Sequence, residues 1–576
     1  MFPTPVDLEP RLLEAGLAHG LSERVVALLA RRGLVDAAEL AAFLGPAEAA
    51  LNDPRRLPDA DRFETRIRLA CERGERVVVF GDFDADGITG LAVLTLALRR
   101  LGIDVSPYVP SRLDEGHGLS LAAVEAAVAA GAAVIVTVDT GTSSVAEAGE
   151  AGRRGLDVLI TDHHRVPAVL PPALAIVNPH RPDSTYPDRR LAGSGVAFTL
   201  ARLLLGDAAL DLADLAAIGT VADVAPVLGE NRGIGRLGLE RIRSAPRPGV
   251  AAILAAASIS PAEVDLETLA FTVAPRLNAA GRVGEAMDAA QLLLTDDPTE
   301  AAALAATLQA ANGLRRDLTR MAIAEARTSA DAVDDAPATI VRGPWPVGIV
   351  GLVASRLAEE RRRPAIVGAE LGATIRASAR SDGRLHLADA LAACDDLLIR
   401  HGGHAGAAGF EVETPRWEAV RERLMRLAAA AEPADPVPSL AIDLAVPGAA
   451  VGYDLLRELA RLEPVGVGNP EPLVAILGLT VVRAREASGG HSQLVLRRER
   501  DVLDAIAFGW PELWASVAEG DRLDVVARLV SRRFGGFESL QLELRDAAPA
   551  GLRLPAAAGS PTIPVVAPMP AAVPAA

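Results

Sequence analysis

The stretch Val77-Val-Val-Phe-Gly-Asp-Phe-Asp-Ala-Asp-Gly87 decides the fold, because an apolar run leads directly into Asp82, Asp84 and Asp86. The run predicts a buried parallel strand, and the glycine after it predicts a sharp turn. Carboxylates packed this closely repel one another unless a cation neutralises them, and oxygen-rich clusters suit hard ions such as Mg2+ or Mn2+. Taken alone, the stretch could also be a solvated acidic turn.

The same pattern recurs three times, with a strand-like apolar run ahead of a metal-capable side chain. Runs 133–138, 156–161 and 216–222 precede Asp139, the group Asp162, His163 and His164, and Asp223. Helical stretches alternate with these predicted strands, which indicates βαβ units in a parallel sheet. Because the carboxyl ends of parallel strands share one edge, the side chains should converge there. Together they offer ligands for two ions roughly 3.5–4 Å apart, bridged by one carboxylate.

The ordered motifs Asp84-Ala-Asp86, Asp139, Asp162-His163-His164 and Gly219-Thr-Val-Ala-Asp223 resemble those of the DHH phosphoesterase superfamily. Flanking segments narrow the resemblance to the RecJ family of single-stranded-DNA-specific exonucleases. These segments are residues 110–112, 115–118, 191–196, 275–282, 375–381, 402–409 and 463–472. His117, Thr140 and Gln493 depart from the family pattern, and none of them is an expected metal ligand.

The resemblance implies a metal-dependent exodeoxyribonuclease that digests single-stranded DNA from the 5′ end in DNA repair and recombination. We expect two ions, Mn2+ or Mg2+, one on Asp82, Asp84 and Asp139 and the other on Asp86, Asp139, His163 and Asp223. Asp139 would bridge the two. By resemblance, His164 lies near the scissile phosphate, where it would stabilise charge or protonate the leaving oxygen. Asp162 is expected to orient a ligating histidine without binding an ion itself. The expected catalytic residues are Asp84, Asp86, Asp139, His163, His164 and Asp223. Spacing does not rank Asp82 against Asp84 as a ligand.

Substrate contacts are expected from two sources. Ser378, Arg380 and Ser381 combine two hydroxyls with a guanidinium, which suits a terminal phosphate. The turn at Gly402-Gly-His404 would let backbone approach a ligand closely, and His404 could donate to a phosphate, although the motif could also be a simple tight turn. The resemblance adds the substrate-binding residues Arg112, Arg276, Asn278 and Arg282.

The expected fold class is α/β. The resemblance implies a parallel-sheet DHH catalytic domain joined by a long helix to a second α/β DHH-associated domain, followed by an antiparallel β-barrel of the OB-fold type. The expected segments are a helical segment 1–55, the catalytic domain 56–295, a connecting helix and linker 296–337, the nucleic-acid-binding DHH-associated domain 338–430, the barrel 439–547 and a disordered Ala/Pro-rich tail 548–576. The long helix is interpreted as a bridge between lobes, with an ordinary packed helix as the alternative.

Composition excludes several function classes. A chain of 576 residues is too long for one hydrophobic core, and its net charge of −17 argues against non-specific coating of DNA. All 58 basic residues are arginine, which removes lysine-dependent phosphate loops and Schiff-base chemistry. The two cysteines, Cys71 and Cys394, cannot form a disulfide framework. Aromatic residues are only 3% of the chain, so Arg532 and Arg533 should contribute more to strand binding by the barrel than stacking does.

Single-stranded DNA is the expected partner, with a single-stranded-DNA-binding protein or a helicase as further candidates. The absence of a signal-like N-terminus and of a long apolar stretch predicts a cytoplasmic protein without membrane contact, and we expect a monomer. One alternative is a DHH-family phosphodiesterase acting on short oligoribonucleotides, cyclic dinucleotides or pyrophosphate. The expected barrel argues against it, because relatives that act on such small substrates generally lack this domain. The other is a non-catalytic DNA-bound scaffold, against which the filled ligand positions count. No residue by itself decides which strand end is gripped.

Overall fold

The computed structural model describes residues 3, 6–112, 114–331, 336–431, 440–534 and 537–552, with backbone only at 331, 533, 534 and 537. The chain forms two compact units, Leu51–Ala434 on the one hand and Met1–Ala50 with Asp435–Ala576 on the other. The predicted disordered tail lies outside the described residues from residue 553 onward, as does the side chain of Arg533. No helix in the described ranges combines the length and apolar character needed to cross a bilayer.

The chain begins with three short helices. They are α1 (Pro10–Ala18), α2 (Glu23–Arg31) and α3 (Ala37–Leu44). Asp36 caps α3, since its carboxylate accepts hydrogen bonds from the N–H groups of Ala38 and Glu39. Their buried faces, with Leu12, Val25 and Leu29, belong to the same hydrophobic core as the barrel strands at the other end of the chain.

A five-stranded parallel sheet forms the centre of the first lobe. Its strands are β1 (Arg76–Gly81), β2 (Val105–Tyr108), β3 (Ala132–Val138), β4 (Asp157–Thr161) and β5 (Ala175–Val177), in the order β2-β1-β3-β4-β5. The accompanying helices are α4 (Ala60–Arg73), α5 (Ala85–Arg100), α6 (Leu121–Ala129), α7 (Val145–Arg153) and α8 (Gly193–Leu205). The strand order reverses between β1 and β3, and in such sheets ligands bind beyond the carboxyl ends of the strands at this reversal.

The strand predicted at 216–222 is wrong, because this segment is the helix α9 (Ala213–Ala222). Periodicity cannot separate a short apolar run in a strand from one in a helix that is buried on all sides. Here α9 packs against α5 and α8, so nearly all of its residues are buried. Gly219 permits this close packing, since a Cβ at that position would lie 2.2 Å from the Oγ of Ser194. Asp223 still follows the segment, now at the end of a helix.

Helices complete the first lobe and lead to the second. They are α10 (Gly229–Ser244), α11 (Pro248–Ala256), α12 (Leu266–Thr268), a π-helical turn (Leu269–Val273), α13 (Ala274–Val283), α14 (Ala286–Leu294) and α15 (Pro298–Asp331). With 34 residues, α15 is about 50 Å long. It packs against α11, α13 and α14 of the first lobe and against elements of the second, so it contacts both.

The second lobe contains a mixed sheet. Its strands are β6 (Thr339–Gly343), β7 (Ala365–Glu370), β8 (Thr374–Arg380), β9 (Arg400–Gly403) and β10 (Ala407–Glu413), in the order β6-β7-β8-β10-β9. Only β6 and β7 are parallel, and the other pairs are antiparallel. Its helices are α16 (Val347–Arg361), α17 (Leu387–Ala392) and α18 (Trp417–Ala430), of which α16 packs against β7 and β8.

The C-terminal region is a closed barrel. Its elements are β11 (Leu444–Pro447), α19 (Tyr453–Ala460), β12 (Val474–Ala487), β13 (His491–Arg498), β14 (Asp501–Ala507), α20 (Leu513–Ser516), β15 (Arg522–Phe534) and β16 (Phe537–Pro549). The ring runs β12-β13-β14-β16-β15 and closes between β15 and β12, while β11 joins β12 outside it. The predicted barrel was antiparallel, but β14 and β16 are parallel. Five strands cannot alternate in direction around a closed ring, so one neighbouring pair must be parallel.

Polar contacts also tie the N-terminal helices to the barrel region. Arg32 forms an ion pair of 2.9 Å with Asp443 and donates to Asn469 at 3.0 Å. The backbone N–H of Ser22 donates to the carboxylate of Glu458 at 3.0 Å. Half-buried ion pairs contribute modestly, so burial of the shared apolar core dominates the stability of this unit.

Candidate active site

Three neighbouring parallel strands deliver the core of the site. Asp82, Asp139 and Asp162 each directly follow a strand, β1, β3 and β4 respectively. The backbone N–H of each still donates to the neighbouring strand, to the carbonyl oxygens of Val138, Thr161 and Val177 at 3.3, 3.0 and 3.0 Å. The sheet's hydrogen-bond ladder therefore continues through these residues. It fixes the backbone positions from which the three carboxylates extend, at one edge of the sheet.

The start of α5 supplies two further carboxylates. Asp84 is the N-cap of α5, with its Oδ1 accepting from the N–H groups of Asp86 and Gly87 at 3.0 and 3.1 Å. The carboxylate of Asp86 accepts from the N–H groups of Gly193 and Ser194 at 2.7 and 2.9 Å, at the beginning of α8. A helix N-terminus stabilises negative charge, so α8 holds Asp86 in place. In the sequence, segment 191–196 contributes only to the family resemblance, and its role in holding Asp86 becomes visible in the fold.

Asp139 occupies the most constrained position of the site. Its φ is +62°, in the left-handed region, which Asp adopts more readily than most residues. Gly193 faces it so closely that a Cβ there would lie 2.6 Å from Asp139 Oδ1. The same oxygen lies 3.0 Å from Nε2 of His163. Local sequence does not reveal this tight packing, although Thr140-Gly141 immediately after Asp139 indicates a turn.

The expected ligands come together as overlapping groups. Ligand atoms lie within 4.8 Å of one another in each of three sets, which are Asp82, Asp84 and Asp139; Asp86, His163 and Asp223; and Asp139, His163 and His164. Asp139 and His163 connect the sets, since each belongs to two of them and Asp139 Oδ1 lies 3.0 Å from His163 Nε2. Within its other set, His163 has its Nε2 3.9 Å from Asp86 Oδ2 and its Nδ1 3.8 Å from Asp223 Oδ2. The structure thus brings all six expected metal ligands to one edge of the sheet.

Orphaned polar atoms and raised pKa values indicate that the cluster fits divalent cations. Asp82 Oδ1 is buried without a hydrogen-bond partner among the described residues. Asp139 Oδ1 and His163 Nε2 are 3.0 Å apart but do not meet in hydrogen-bond geometry, and buried polar atoms left in this way are costly in a native protein. Burial and the charge of Asp82 raise the pKa of Asp84 to about 6, and burial and the charge of Asp86 raise the pKa of Asp223 to about 7. Burial also raises the pKa of Asp139 well above its usual range. Carboxylate and imidazole donors suit Mn2+ and Mg2+, which would satisfy these atoms and remove the repulsion.

Asp162 contacts the ring of His164 and not that of His163. Its Oδ1 lies 2.8 Å from His164 Nδ1 and accepts from the backbone N–H of His163 at 2.8 Å, while Oδ2 accepts from Thr142 N–H at 2.9 Å. The hydrogen bond that Asp162 accepts from the His164 ring raises the pKa of His164 to about 9. Although burial opposes it, the same contact holds the pKa of Asp162 well below its usual range. The His164 ring is half-exposed and lies at the edge of the cluster.

The segment between β2 and α6 covers one side of the site. His117 Nδ1 lies 3.1 Å from Asp82 Oδ2, and its ring centroid is 4.4 Å from that of Phe83. The guanidinium of Arg112 stacks on the same ring, 4.3 Å from its centroid. Phe83 thus orients a histidine and an arginine toward the carboxylates. This role of Phe83 was not predicted from the sequence, in which an aromatic residue between two aspartates is the available signal.

Guanidinium groups contact α16 in its N-terminal half, in a region that we call the arginine pocket. The guanidinium of Arg282 donates to the carbonyl oxygen of Gly348 at 2.8 Å, in the first turn of the helix. Arg380 donates to Ser355 Oγ at 3.1 Å, and its Nη2 lies 3.2 Å from the position that a Cβ on Gly351 would occupy. Ser378 shares a face of β8 with Arg380, since they are two residues apart in the strand. A helix N-terminus beside guanidiniums favours an anion.

The charges of this pocket have no acidic partners. In the described part of the chain, Arg112, Arg282 and Arg380 form no ion pair with a carboxylate. Burial lowers the pKa of all three, and the neighbouring charge of Arg112 lowers that of Arg282 further. The charge of Asp84 acts on both Arg112 and Arg282, so the pocket adjoins the carboxylate cluster. In a protein of net charge −17, guanidiniums that are not held in ion pairs indicate a site for an anionic ligand.

The remaining expected substrate contacts are placed differently. Asn278 Oδ1 accepts from the N–H of Ala85 at 2.8 Å, and so it holds the start of α5. Ser381 Oγ accepts from Gly383 N–H, and His404 is exposed in the turn between β9 and β10. No hydrogen bond in the described ranges joins Ser381 or His404 to the Arg380 guanidinium. Arg276 lies against α15.

Comparisons with known protein families match three parts of the chain. Residues 76–220 match the DHH family, N-terminal domain; residues 337–432 match the DHHA1 domain; and residues 442–546 match the RecJ OB domain. The first two matches lie within the unit that carries the carboxylate cluster and the pocket, and the third covers the barrel.

Individual relatives cover most of the chain. The single-stranded-DNA-specific exonuclease RecJ of Bacillus subtilis is 36% identical over 531 residues, which is 91% of this chain and 68% of that protein. Crystal structures of RecJ from Thermus thermophilus in complex with Mn2+ and with Mg2+ match with TM-scores of 0.80 and 0.73, at 32% and 30% identity. Each covers 96% of this chain, and the matches span 79% and 78% of the respective crystallised chains.

Proposed function

Because the chain belongs to the RecJ family of single-stranded-DNA-specific exonucleases, we propose that it degrades single-stranded DNA from the 5′ end by metal-dependent hydrolysis of phosphodiester bonds. One observation carries the proposal, namely that a carboxylate–histidine cluster suited to divalent ions adjoins an arginine pocket suited to a phosphate. A nuclease that works from a strand end needs both, since one holds the terminal phosphate and the other the bond to be cut.

The carboxylates and His163 would hold the ions. One ion is assigned to Asp82, Asp84 and Asp139, and the other to Asp86, Asp139, His163 and Asp223. When bound, such ions supply Lewis acidity and a nucleophile derived from water at neutral pH. Asp139 serves both positions, and the N-terminal N–H groups of α8 keep Asp86 oriented toward them.

His164 acts at the other side of the scissile bond. Asp162 keeps the His164 ring oriented and favours its protonated form, in which the ring can stabilise charge on the phosphate or transfer a proton to the leaving oxygen. Asp162 therefore orients His164, the histidine that faces the substrate. The ring of His163 is instead positioned among Asp86, Asp139 and Asp223.

The pocket at α16 supports the 5′ polarity. DNA ends ordinarily carry a phosphate on the 5′ side and a hydroxyl on the 3′ side, so a pocket for a terminal phosphate selects 5′ ends. Arg112, Arg282, Arg380 and Ser378 would hold that phosphate together with N–H groups of the first turn of α16. The next phosphodiester bond along the strand would then lie at the carboxylates.

Two alternatives remain outcomes of the test. A DHH-family phosphodiesterase acting on short oligoribonucleotides or cyclic dinucleotides would not need the barrel, and a scaffold would not need a complete set of ligands. Cytoplasmic localisation, a monomeric state and contact with a single-stranded-DNA-binding protein or a helicase stay predictions from the sequence.

The decisive experiment incubates purified protein and Mn2+ with single strands labelled at either end, beside duplex DNA and short RNA. We expect mononucleotides to appear first from the 5′ label, with no comparable loss of duplex. Release from the 3′ label first would overturn the polarity. Faster hydrolysis of short RNA than of DNA would favour the small-substrate alternative, and no hydrolysis of any substrate would favour the scaffold.

A further inference from the structure

His117 contacts the carboxylate cluster from its solvent side. Its Nδ1 lies 3.1 Å from Oδ2 of Asp82, and its side chain is 72% exposed, whereas that of Asp82 is 7% exposed. None of the three ligand sets found among the described residues includes His117. A side chain in this place touches a metal ligand from outside the position of the ion.

The chemistry of the contact defines which partner donates. An ionised carboxylate only accepts hydrogen bonds, so Nδ1 of His117 carries the hydrogen that Asp82 Oδ2 receives. The other oxygen of Asp82, Oδ1, is buried and has no hydrogen-bond partner in the described part of the chain. With Oδ2 held by the imidazole, Oδ1 is the oxygen that remains available to an ion.

Hydrogen bonds around Glu115 hold the segment that carries His117. The Glu115 carboxylate accepts from the N–H of Ser111 at 2.8 Å and from the phenol of Tyr108 at 3.0 Å, which ties the segment to the end of β2. It also accepts from the hydroxyl of Ser120, at the start of α6. His117 therefore lies in a turn that is anchored at both ends.

Two glycines and a phenylalanine set the direction of the ring. Gly116 and Gly118, on either side of His117, have φ angles of +76° and +95°, which residues with a Cβ rarely adopt. The imidazole packs on the buried ring of Phe83, with 4.4 Å between the centroids. Because Phe83 directly follows Asp82 in the chain, this contact ties the imidazole to the backbone that bears the carboxylate.

We propose that His117 is a positioning residue for the ion position that includes Asp82. Its imidazole keeps Asp82 in one orientation against the repulsion of the neighbouring carboxylates, so that Oδ1 stays directed to the ion. The inference rests on the proposed function, to which that ion position belongs. His117 departs from the family pattern, and the resemblance assigns it no role.

Two substitutions separate the hydrogen bond from the ring. Nδ1 of histidine is bonded to Cγ, as is Nδ2 of asparagine, so His117→Asn keeps a donor close to that position and removes the ring. His117→Phe keeps a ring against Phe83 and removes the donor. A stacking residue for a base would need the ring, whereas a positioning residue for Asp82 needs the donor.

The test titrates the full chain with Mn2+ by calorimetry, without nucleic acid. In His117→Phe, one of the two binding events should weaken about ten- to a hundredfold, the range typical for a residue that contacts a metal ligand. The other event should keep its wild-type affinity, because Asp82 belongs to one ion position. His117→Asn should bind both ions as the wild type does. Both variants should fold, since the side chain is largely exposed.

Kinetics on a 5′-phosphorylated single strand give a second readout. His117→Phe should need about ten- to a hundredfold more Mn2+ for half-maximal turnover. At saturating Mn2+, its kcat and its KM for the strand should equal those of the wild type. A raised KM for the strand with wild-type Mn2+ binding would make His117 a stacking residue and overturn the proposal. If His117→Asn binds Mn2+ as weakly as His117→Phe, the hydrogen bond through Nδ1 is not what holds Asp82.

His386→Phe is the matched control. Nδ1 of His386 also lies 3.1 Å from a carboxylate, that of Asp389, but both side chains are exposed at the start of α17. This variant should bind Mn2+ as the wild type does. A wild type that binds no Mn2+ would overturn both the proposed function and this inference. A wild type that binds two ions and degrades single strands, beside a His117→Phe variant of equal Mn2+ affinity, would overturn the inference alone.

Discussion

The carboxylate cluster and the arginine pocket lie side by side in the same compact unit, and each collects charges of one sign. The carboxylates are short side chains that begin at strand ends or at a helix start, with backbone hydrogen bonds fixing their origins. The guanidiniums are long side chains from a connecting segment, α13 and β8. Metal coordination needs ligands held rigidly, whereas a flexible strand is better held by donors that can adjust.

Burial separates Asp139 from the arginines of the pocket. Asp139 is 3% exposed and packs directly against Gly193, whereas Arg112 and Arg380 are only half-buried. We therefore expect changes in the carboxylate cluster to act in an all-or-none manner, and changes among the arginines to be graded and dependent on the substrate.

The largest effect is expected for Asp139→Asn. Asparagine tolerates the left-handed backbone at this position and keeps the volume, but removes the charge shared by both metal positions. Turnover should fall by more than about a hundredfold. A loss of that size exceeds what is typical when a residue that only contacts a metal ligand is changed, which is about ten- to a hundredfold. Without metal, the melting temperature should not decrease, because one repelling carboxylate is gone. The exposed Asp61→Asn serves as control, and turnover above about a tenth of wild type would contradict the two-metal assignment.

Gly193→Ala tests whether the rigidity of the cluster matters as much as its charge. The added methyl would meet Asp139 and displace it from its position, so kcat should fall on the order of a hundredfold. Calorimetric titration should show weaker Mn2+ binding. Gly152→Ala in α7 is the matched control, since nothing lies within 4 Å of its Cβ position. Wild-type metal affinity in Gly193→Ala would show that the cluster adapts.

Arg380→Ala should produce the graded behaviour expected of the pocket. On 5′-phosphorylated strands, kcat/KM should fall roughly ten- to a hundredfold, because one charge-assisted phosphate contact is lost. Strands with a 5′-hydroxyl should be affected much less, and Mn2+ affinity should stay at the wild-type value. Arg426→Ala, an exposed arginine on α18, is the control. Equal responses of the two kinds of strand would make Arg380 a general backbone contact.

The smallest effect is expected when the second compact unit is removed. A fragment of residues 51–434 keeps both charged regions. It also omits α1–α3, whose apolar side chains would be exposed without the barrel because they share its hydrophobic core. It should cleave short strands at the wild-type rate but bind long strands more weakly, with a shallower salt dependence. If affinity and its salt dependence on long strands are unchanged, the barrel binds a partner protein instead of the strand. If a folded fragment no longer cleaves, the carboxylate cluster and the arginine pocket are not sufficient for hydrolysis.

Much of the site could be predicted because its signals are local. An apolar run followed by a carboxylate can be recognised in a few residues, and parallel strands necessarily present their carboxyl ends at one edge. Asp82, Asp139 and Asp162 follow from this rule alone. The rule failed for the run before Asp223, which is helical, because a fully buried helix and a fully buried strand are both uniformly apolar.

Partners that are distant in sequence could not be predicted, because each depends on elements meeting in three dimensions. Only the fold decided that the start of α8 holds Asp86 and that Asp162 contacts the ring of His164. The same holds for the parallel pair in the five-stranded ring and for the core that α1–α3 share with the barrel. The sequence by itself determined which residues carry charge and where strands end, since these are properties of neighbouring residues. Which charges stay uncompensated was decided by tertiary structure alone, because compensation requires knowing what every distant side chain contacts.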